Sequence, residues 1–332
     1  MSKEVKGNMG HKNNLINKKN IIRLATIIAV YIVIVILVDG NILNRQFKSL
    51  LVPIGINIIL AVSLNLTTGF LGELSLGHAG FMAIGAYTGS IFTLHANLPG
   101  GLEFLLGILL GGIVAAIFGV IIGVPVLRLK GDYLAIVTLA FGEIIRSIVN
   151  FLGITGGAMG LSKIPRYSNY TWTYAIMIVT LLVIVNLVNS RHGRAIKAIR
   201  DNYIAAESIG IKVSRYKIMA FVIAAFFAGI AGVLYGHHLS IVKPGDFDYN
   251  KSIEILVIVV LGGMGSIKGS VISAIILTIL PEMLRAADDF RMLLYAIVLI
   301  AMMLFNSSGI RTKLEESGKL PKLPLLAKSK AK

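Results

Sequence analysis

The chain has 332 residues, of which 56% are apolar and 14% charged, with a formal net charge of +16 and a mean hydropathy of +0.82. A soluble domain is about a quarter charged, so this composition excludes an ordinary soluble enzyme, a disordered chain and a fibrous repeat. The basic residues are not interleaved with aromatics on a folded face, so the positive charge is not read as a nucleic-acid footprint.

The pattern that remains is an all-α polytopic membrane protein with about 8–10 transmembrane helices, some of them glycine-broken or re-entrant. A bilayer core about 30 Å thick needs roughly 20 apolar helical residues. Residues 1–20 form a polar, Lys- and Asn-rich arm, read as uncleaved because the apolar run behind it lacks a small-residue cleavage site. The transmembrane domain is placed at 21–306, with spans at 21–38, 50–66, 76–94, 102–127, 133–152, 172–188 and 218–235. The run 253–280 is too long for one helix and is cut by Gly262, Gly263, Gly265 and Gly269, which predicts a split or re-entrant segment. A last span follows at 292–305, then a basic tail at 307–332.

Most of the 32 basic residues fall in the arm, in the 190–217 loop and in the tail. All three are therefore predicted to be cytoplasmic, with anionic lipid as a neighbour. Parity agrees: an inside tail requires the split segment to count as zero or two crossings. The loops near 153–171 and 237–252 fall on the other side, each too short to fold alone.

Few residues offer chemistry. Without cysteine there is no disulfide, thiolate nucleophile or Cys-based metal site. The six histidines show no ligand spacing, and His237 with His238 is read as a surface pair, so no metal site is predicted. No GxxxxGK[ST] is present, and the glycine-rich 261–269 fails both the Walker and the GxGxxG spacing, so the chain is not expected to bind ATP itself or to act as an enzyme. Glu143 and Arg146 lie inside a span at i,i+3, and mutual neutralisation is preferred to a substrate site. The pairs Gly85/Gly89, Gly107/Gly111, Gly119/Gly123 and Gly232/Gly236 have GxxxG spacing and predict close helix packing, inside the chain and against a partner.

The loop 190–217 places Ala195, Ile196, Ala198 and Ile199 at helical spacing among basic residues, an amphipathic helix pinned between two spans. Its continuation resembles the E-A-A-x-x-x-G coupling loop of ABC-importer permeases, with Ala205, Ala206 and Gly210 in register. Ile204 stands for the leading Glu, and Ala220-Phe221 stand where that pattern has I-x-L-P. Stretches 72–87, 155–161, 193–202, 205–211, 220–232 and 261–269 together resemble the Liv-type branched-chain amino-acid permeases, on their LivM-like side, from about residue 50 to 310.

The resemblance implies a membrane-spanning permease subunit of an ATP-driven importer of branched-chain amino acids in a prokaryotic plasma membrane. It implies a second homologous permease, two cytoplasmic ATP-binding subunits and an extracytoplasmic substrate-binding protein as partners, and no cofactor on this chain. A urea or short-amide permease of the same superfamily, and a channel or secondary transporter without ATPases, stand as alternatives. The coupling loop would use Gly193, Arg194, Ala198, Arg200, Asp201, Ala205, Ala206 and Gly210, with both alanines against the ATPase and Arg200 and Asp201 at its rim. The translocation pathway would be bordered by Gly72, Ser75, Gly77, His78, Gly80, Gly262, Gly263, Gly265 and Ser266.

Overall fold

The computed structural model describes residues 45–284 except 97 and 130, together with positions 40, 296, 297 and 300. The chain divides into two compact units, Met1–Leu51 and Val52–Lys332. Of the first unit, Gly40 and the opening turns of one helix are described. The arm 1–20, the span 21–38, most of the span 292–305 and the tail 307–332 lie outside the described residues.

Every long apolar run of the described sequence is helical, with ends within a few residues of those expected. The helices are α1 (Arg45–Asn65), α2 (His78–His95), α3 (Gly100–Val126), α4 (Asp132–Phe151), α5 (Tyr170–Asn189), α6 (Arg191–Asp201), α7 (Tyr203–Ser208), α8 (Val213–Leu239), α9 (Tyr249–Gly262) and α10 (Ile267–Met283). A π-helical turn, Leu66–Leu71, continues α1. Among the described residues, five helical stretches are long and apolar enough to cross a membrane: Phe47–Leu71 and the four helices α3, α4, α5 and α8.

The core is a seam of α2, α3 and α8. Gly85 lies against the Gly229 backbone, Gly232 against the Met82 carbonyl, and a Cβ on Gly111 would stand 2.9 Å from the Gly85 carbonyl. Such distances need small residues on both sides. The GxxxG pairs are thus spent within this chain. Gly119 faces Ala225 and Gly123 faces Phe221, on the same α3–α8 contact. α8 is consequently central, burying Phe221, Phe227, Ile230, Val233 and Leu234. The opposite face of α3 is open and wholly apolar, with Leu105, Leu109, Ile113, Ile117, Val120 and Val124 exposed.

His237 is a core residue rather than half of a surface pair. It is fully buried, its Nε2 lies 2.9 Å from Thr93 Oγ1, its Nδ1 lies 2.9 Å from the Val233 carbonyl, and its ring packs on Phe104 and Tyr167. A helix gives adjacent residues different faces, so the sequence neighbour says nothing about where His237 points.

The connections after α4 and after α8 meet. Leu161–Ser162 pairs antiparallel with Ile241–Val242, Leu161 opposite Val242, and the Ile164 amide donates to the Ser240 carbonyl at 3.2 Å. These two loops therefore share one end of the bundle, as the span parity requires. In a chain without native cysteine, Ala158→Cys and Gly245→Cys should both react with an impermeant thiol reagent added outside intact cells, and Glu207→Cys should not. Labelling of Ala158 and Gly245 from opposite sides would overturn this arrangement.

Candidate functional site: a clasp between two helix breaks and a surface loop

Two interruptions of the membrane helices come together at the other end of the bundle. The first is the stretch 72–77. Gly72 closes the π-turn at φ +82°, a left-handed conformation natural to glycine, and the chain then runs without helix until His78. α2 starts deep. It lies parallel to α8, with Gly85 at Gly229 and Gly89 at Val233, so His78 is level with Val222, about nine residues or ~13 Å along α8 at 1.5 Å per residue. Residues 72–77 span that depth as non-helical backbone, which membrane proteins permit only where protein or water covers it. Protein covers much of it here. The Leu76 amide donates to Thr138 Oγ1 at 3.0 Å, a Cβ on Gly77 would sit 2.6 Å from the Thr138 carbonyl oxygen, and Glu73 pairs with Lys217 of α8.

The second interruption is 263–266, between α9 and α10. Gly263 and Gly265 take positive φ, α10 folds back on α9 with Gly262 tight against Gly269, and Ser266 caps α10 by accepting from the Gly269 amide at 3.1 Å. A returning pair leaves the chain on the side from which it came, consistent with zero or two crossings.

Asn65, fully buried at the end of α1, ties the helix that leads into the first interruption to the second. Its Oδ1 accepts from the Gly265 amide at 2.8 Å, and its Nδ2 donates to the Ser266 carbonyl at 3.1 Å and to Ser270 Oγ at 2.8 Å. A buried amide partnered in this way fixes register as well as contact. Ser75 and His78 are buried too, with His78 Nε2 2.9 Å from Ser63 Oγ. Gly80 rests against Gly142 of α4.

The loop 190–210 sits on this clasp. Ser190 caps α6, accepting from the Gly193 amide at 3.3 Å, and α6 buries Gly193, Ala195, Ile196 and Ile199. Gly193 is pressed against the Leu187 and Val188 carbonyls. Arg194 and Asp201 are exposed and Ala198 is half-buried. Arg200 is exposed at the rim, yet its Nη1 donates to the Gly69 carbonyl at 2.8 Å. A Cβ on Gly72 would stand 2.9 Å from Arg200 Cγ, and one on Gly265 would stand 3.0 Å from Arg200 Nη1. Lys197 Nζ lies 5.6 Å from the centre of the Phe70 ring. One arginine thus touches both interruptions.

Asn202 caps α7 through the Ile204 and Ala205 amides, and Gly210 closes the turn at φ +86° with open space around its Cα. Ala205 faces outward, but Ala206 does not: it is 2% exposed within this chain. The apolar groups that α7 and its following turn present outward are Tyr203, Ile204 and Ile209, the last two 61% and 77% exposed. The expectation that both alanines face a partner is corrected for Ala206, because the α7 helix turns them to different sides.

Sequence reasoning passed over Asn65, Gly69, Thr138 and the Glu73–Lys217 pairing. A buried-type polar residue inside the apolar run 50–66 was a usable signal for Asn65.

Residues 46–305 match the family model described as the permease component of the branched-chain amino acid transport system. The chain belongs to this permease family. The permease is 37% identical over 290 residues to LivM, a high-affinity branched-chain amino acid transport system permease protein, of Salmonella typhimurium and of Escherichia coli, covering 77% of this chain and 67% of each relative. It is 26% identical over 280 residues to LivH of Escherichia coli, another permease protein of that system, covering 76% of this chain and 90% of the relative. A probable LivM of Methanocaldococcus jannaschii is 25% identical over 265 residues, covering 67% of this chain and 76% of the relative. No solved structure matches. Helical content, apolar spans and family together make the permease a multi-pass membrane protein.

Proposed function

We propose that the permease is one of two homologous membrane subunits of an ATP-driven importer for leucine, isoleucine and valine in a prokaryotic plasma membrane, with both termini cytoplasmic. Two cytoplasmic ATP-binding subunits supply the energy and an extracytoplasmic binding protein delivers the amino acid. The permease carries out no hydrolysis of its own. The names of its relatives support the substrate, and their pairing as LivM and LivH supports a second permease.

The single observation that carries the coupling is the position of Arg200. A loop that is to drive transport must present a docking face and must be joined to the parts of the membrane domain that can move. Tyr203, Ile204 and Ile209 supply an apolar face on an otherwise polar surface. Arg200 joins that loop to the Gly69 carbonyl and lies against Gly72 and Gly265. A partner pulling on α7 moves α6 with it, and α6 bears on the π-turn and on the α9–α10 break through one guanidinium.

The test is reconstitution of the four kinds of subunit and uptake of labelled L-leucine, with isoleucine, valine and urea as competitors. Ile204→Glu combined with Ile209→Glu should leave the permease inserted and abundant while removing the ATP-binding subunits from the purified complex and reducing uptake at least tenfold. Uptake competed by urea and untouched by valine would point to a short-amide substrate. Full uptake by the double variant would place the docking face elsewhere.

A further inference from the structure

The open face of α4 differs in kind from that of α3. It carries Ile136, Val137, Ile144 and Ile148, but halfway along it stand Glu143 and Arg146, paired at 3.3 Å between Arg146 Nε and Glu143 Oε2, with side chains 39% and 33% exposed for Arg146 and Glu143. Charges at such a position are costly against lipid, whereas the α3 face has none to shelter. The α4 face therefore fronts water or protein. α9 begins at the same level, where the Tyr249 amide donates to Glu143 Oε1 at 3.1 Å. One turn into α9 lies a second pair of opposite charges, Lys251 and Glu254 at 3.0 Å, also incompletely buried. Two neutral pairs thus occupy adjoining helices beside the start of α2, where the Ala79 amide donates to Ser252 Oγ at 3.1 Å and Gly80 rests against Gly142.

We propose that the Glu143–Arg146 pair is a binding station for the zwitterion of the transported amino acid, its carboxylate on Arg146 and its ammonium on Glu143. The proposal rests on the reading of the chain as an amino-acid permease and names the residues that meet the cargo. Arg146 meets Glu143 through Nε at 3.3 Å, and no hydrogen bond from its guanidinium to another residue is found among the described residues. A guanidinium fork matches a carboxylate in two parallel hydrogen bonds. Glu143 is held in place by the Tyr249 amide through one oxygen, which leaves the other to exchange Arg146 for an ammonium group. An α-amino acid carries both charges on one carbon, so it replaces the two halves of the pair together and leaves no net charge behind. When the station is empty the pair closes on itself, and no isolated charge remains in an apolar wall.

The experiment uses the assembled transporter carrying Ser147→Cys, an exposed neighbour of Arg146 in a chain without native cysteine. L-leucine should slow thiol labelling of that cysteine at least fivefold, whereas leucinol, which lacks the carboxylate, and 4-methylpentanoate, which lacks the amine, should not. Adding Arg146→Met should abolish the protection and cut maximal L-leucine uptake at least tenfold with the complex recovered intact. Absence of protection in a transporter that takes up leucine would overturn the station while leaving the permease reading standing. Loss of the second permease from the Arg146→Met complex would overturn it differently, making the pair a brace between subunits. A complex that carries no leucine at all would remove the amino-acid reading, and the station with it.

Discussion

Arg200→Ala should leave the permease inserted and assembled but reduce amino-acid uptake at least tenfold, with ATP hydrolysis by the partner subunits no longer rising when loaded binding protein is added. The reason is the number of parts that meet at one side chain. Its guanidinium holds the Gly69 carbonyl at 2.8 Å, its stem fills the space beside Gly72, and its Nη1 lies next to Gly265. A hydrogen bond from a charged donor is worth about 1.5–3 kcal/mol. That is small against the packing of α6, which stays anchored by Ile196 and Ile199, so folding survives. It is large for a two-state element whose populations differ by a few kcal/mol. Arg200→Lys keeps the charge without the planar fork and should recover part of the rate. Gly72→Ala attacks the same junction from the other side. Its Cβ would stand 2.9 Å from Arg200 Cγ in a left-handed backbone, so the variant should reproduce the uncoupled behaviour. Uptake at the wild-type rate by Arg200→Ala would mean that the breaks are driven by another route.

The spans were legible in the sequence because hydropathy is local. The break near 265 was legible because four glycines interrupt one apolar run, and the loop 190–210 because its apolar and basic residues alternate with helical spacing. Relations between helices were not legible. The deep start of α2 depends on its offset against α8, set by where Gly85 and Gly89 find small or branched partners. Asn65 serves a glycine amide two hundred residues away in sequence, and nothing in its own neighbourhood announces that. Arg200 read as one of many basic residues on a cytoplasmic loop, where most face water; only its contact with Gly69 separates it from Arg194. Ala206 followed a motif that names both alanines alike, although a helix must turn them to different sides. The GxxxG pairs were visible, but the partner they serve is this same chain, which spacing alone does not decide.

Gly232→Val should be the most damaging single substitution in the described seam, lowering the yield of folded, monodisperse permease several-fold and its thermal midpoint by many degrees. A Cβ at Gly232 runs into the Met82 carbonyl and would stand 2.9 Å from the Ala86 amide nitrogen. Both obstacles are backbone, so no rotamer change relieves them. Overfilling a packed site costs about 1–3 kcal/mol when side chains can shift, and here α2 and α8 must separate along their contact, which places the cost at or above the upper end. The strain does not stay local. α2 and α8 hold α3 through Gly111 and Gly229, and their parallel offset sets the depth of residues 72–77, so a parted seam also displaces that non-helical segment from Thr138. Gly101→Val is the matched control. It adds the same side chain near the start of α3, where a Cβ meets nothing within 4 Å, and the altered helix propensity of one residue is worth less than about 1 kcal/mol. The two variants, compared by size-exclusion profile and thermal midpoint in one detergent, separate backbone collision from the mere loss of a glycine. Equal behaviour of the pair would mean that α2 and α8 are not in backbone contact at Gly232.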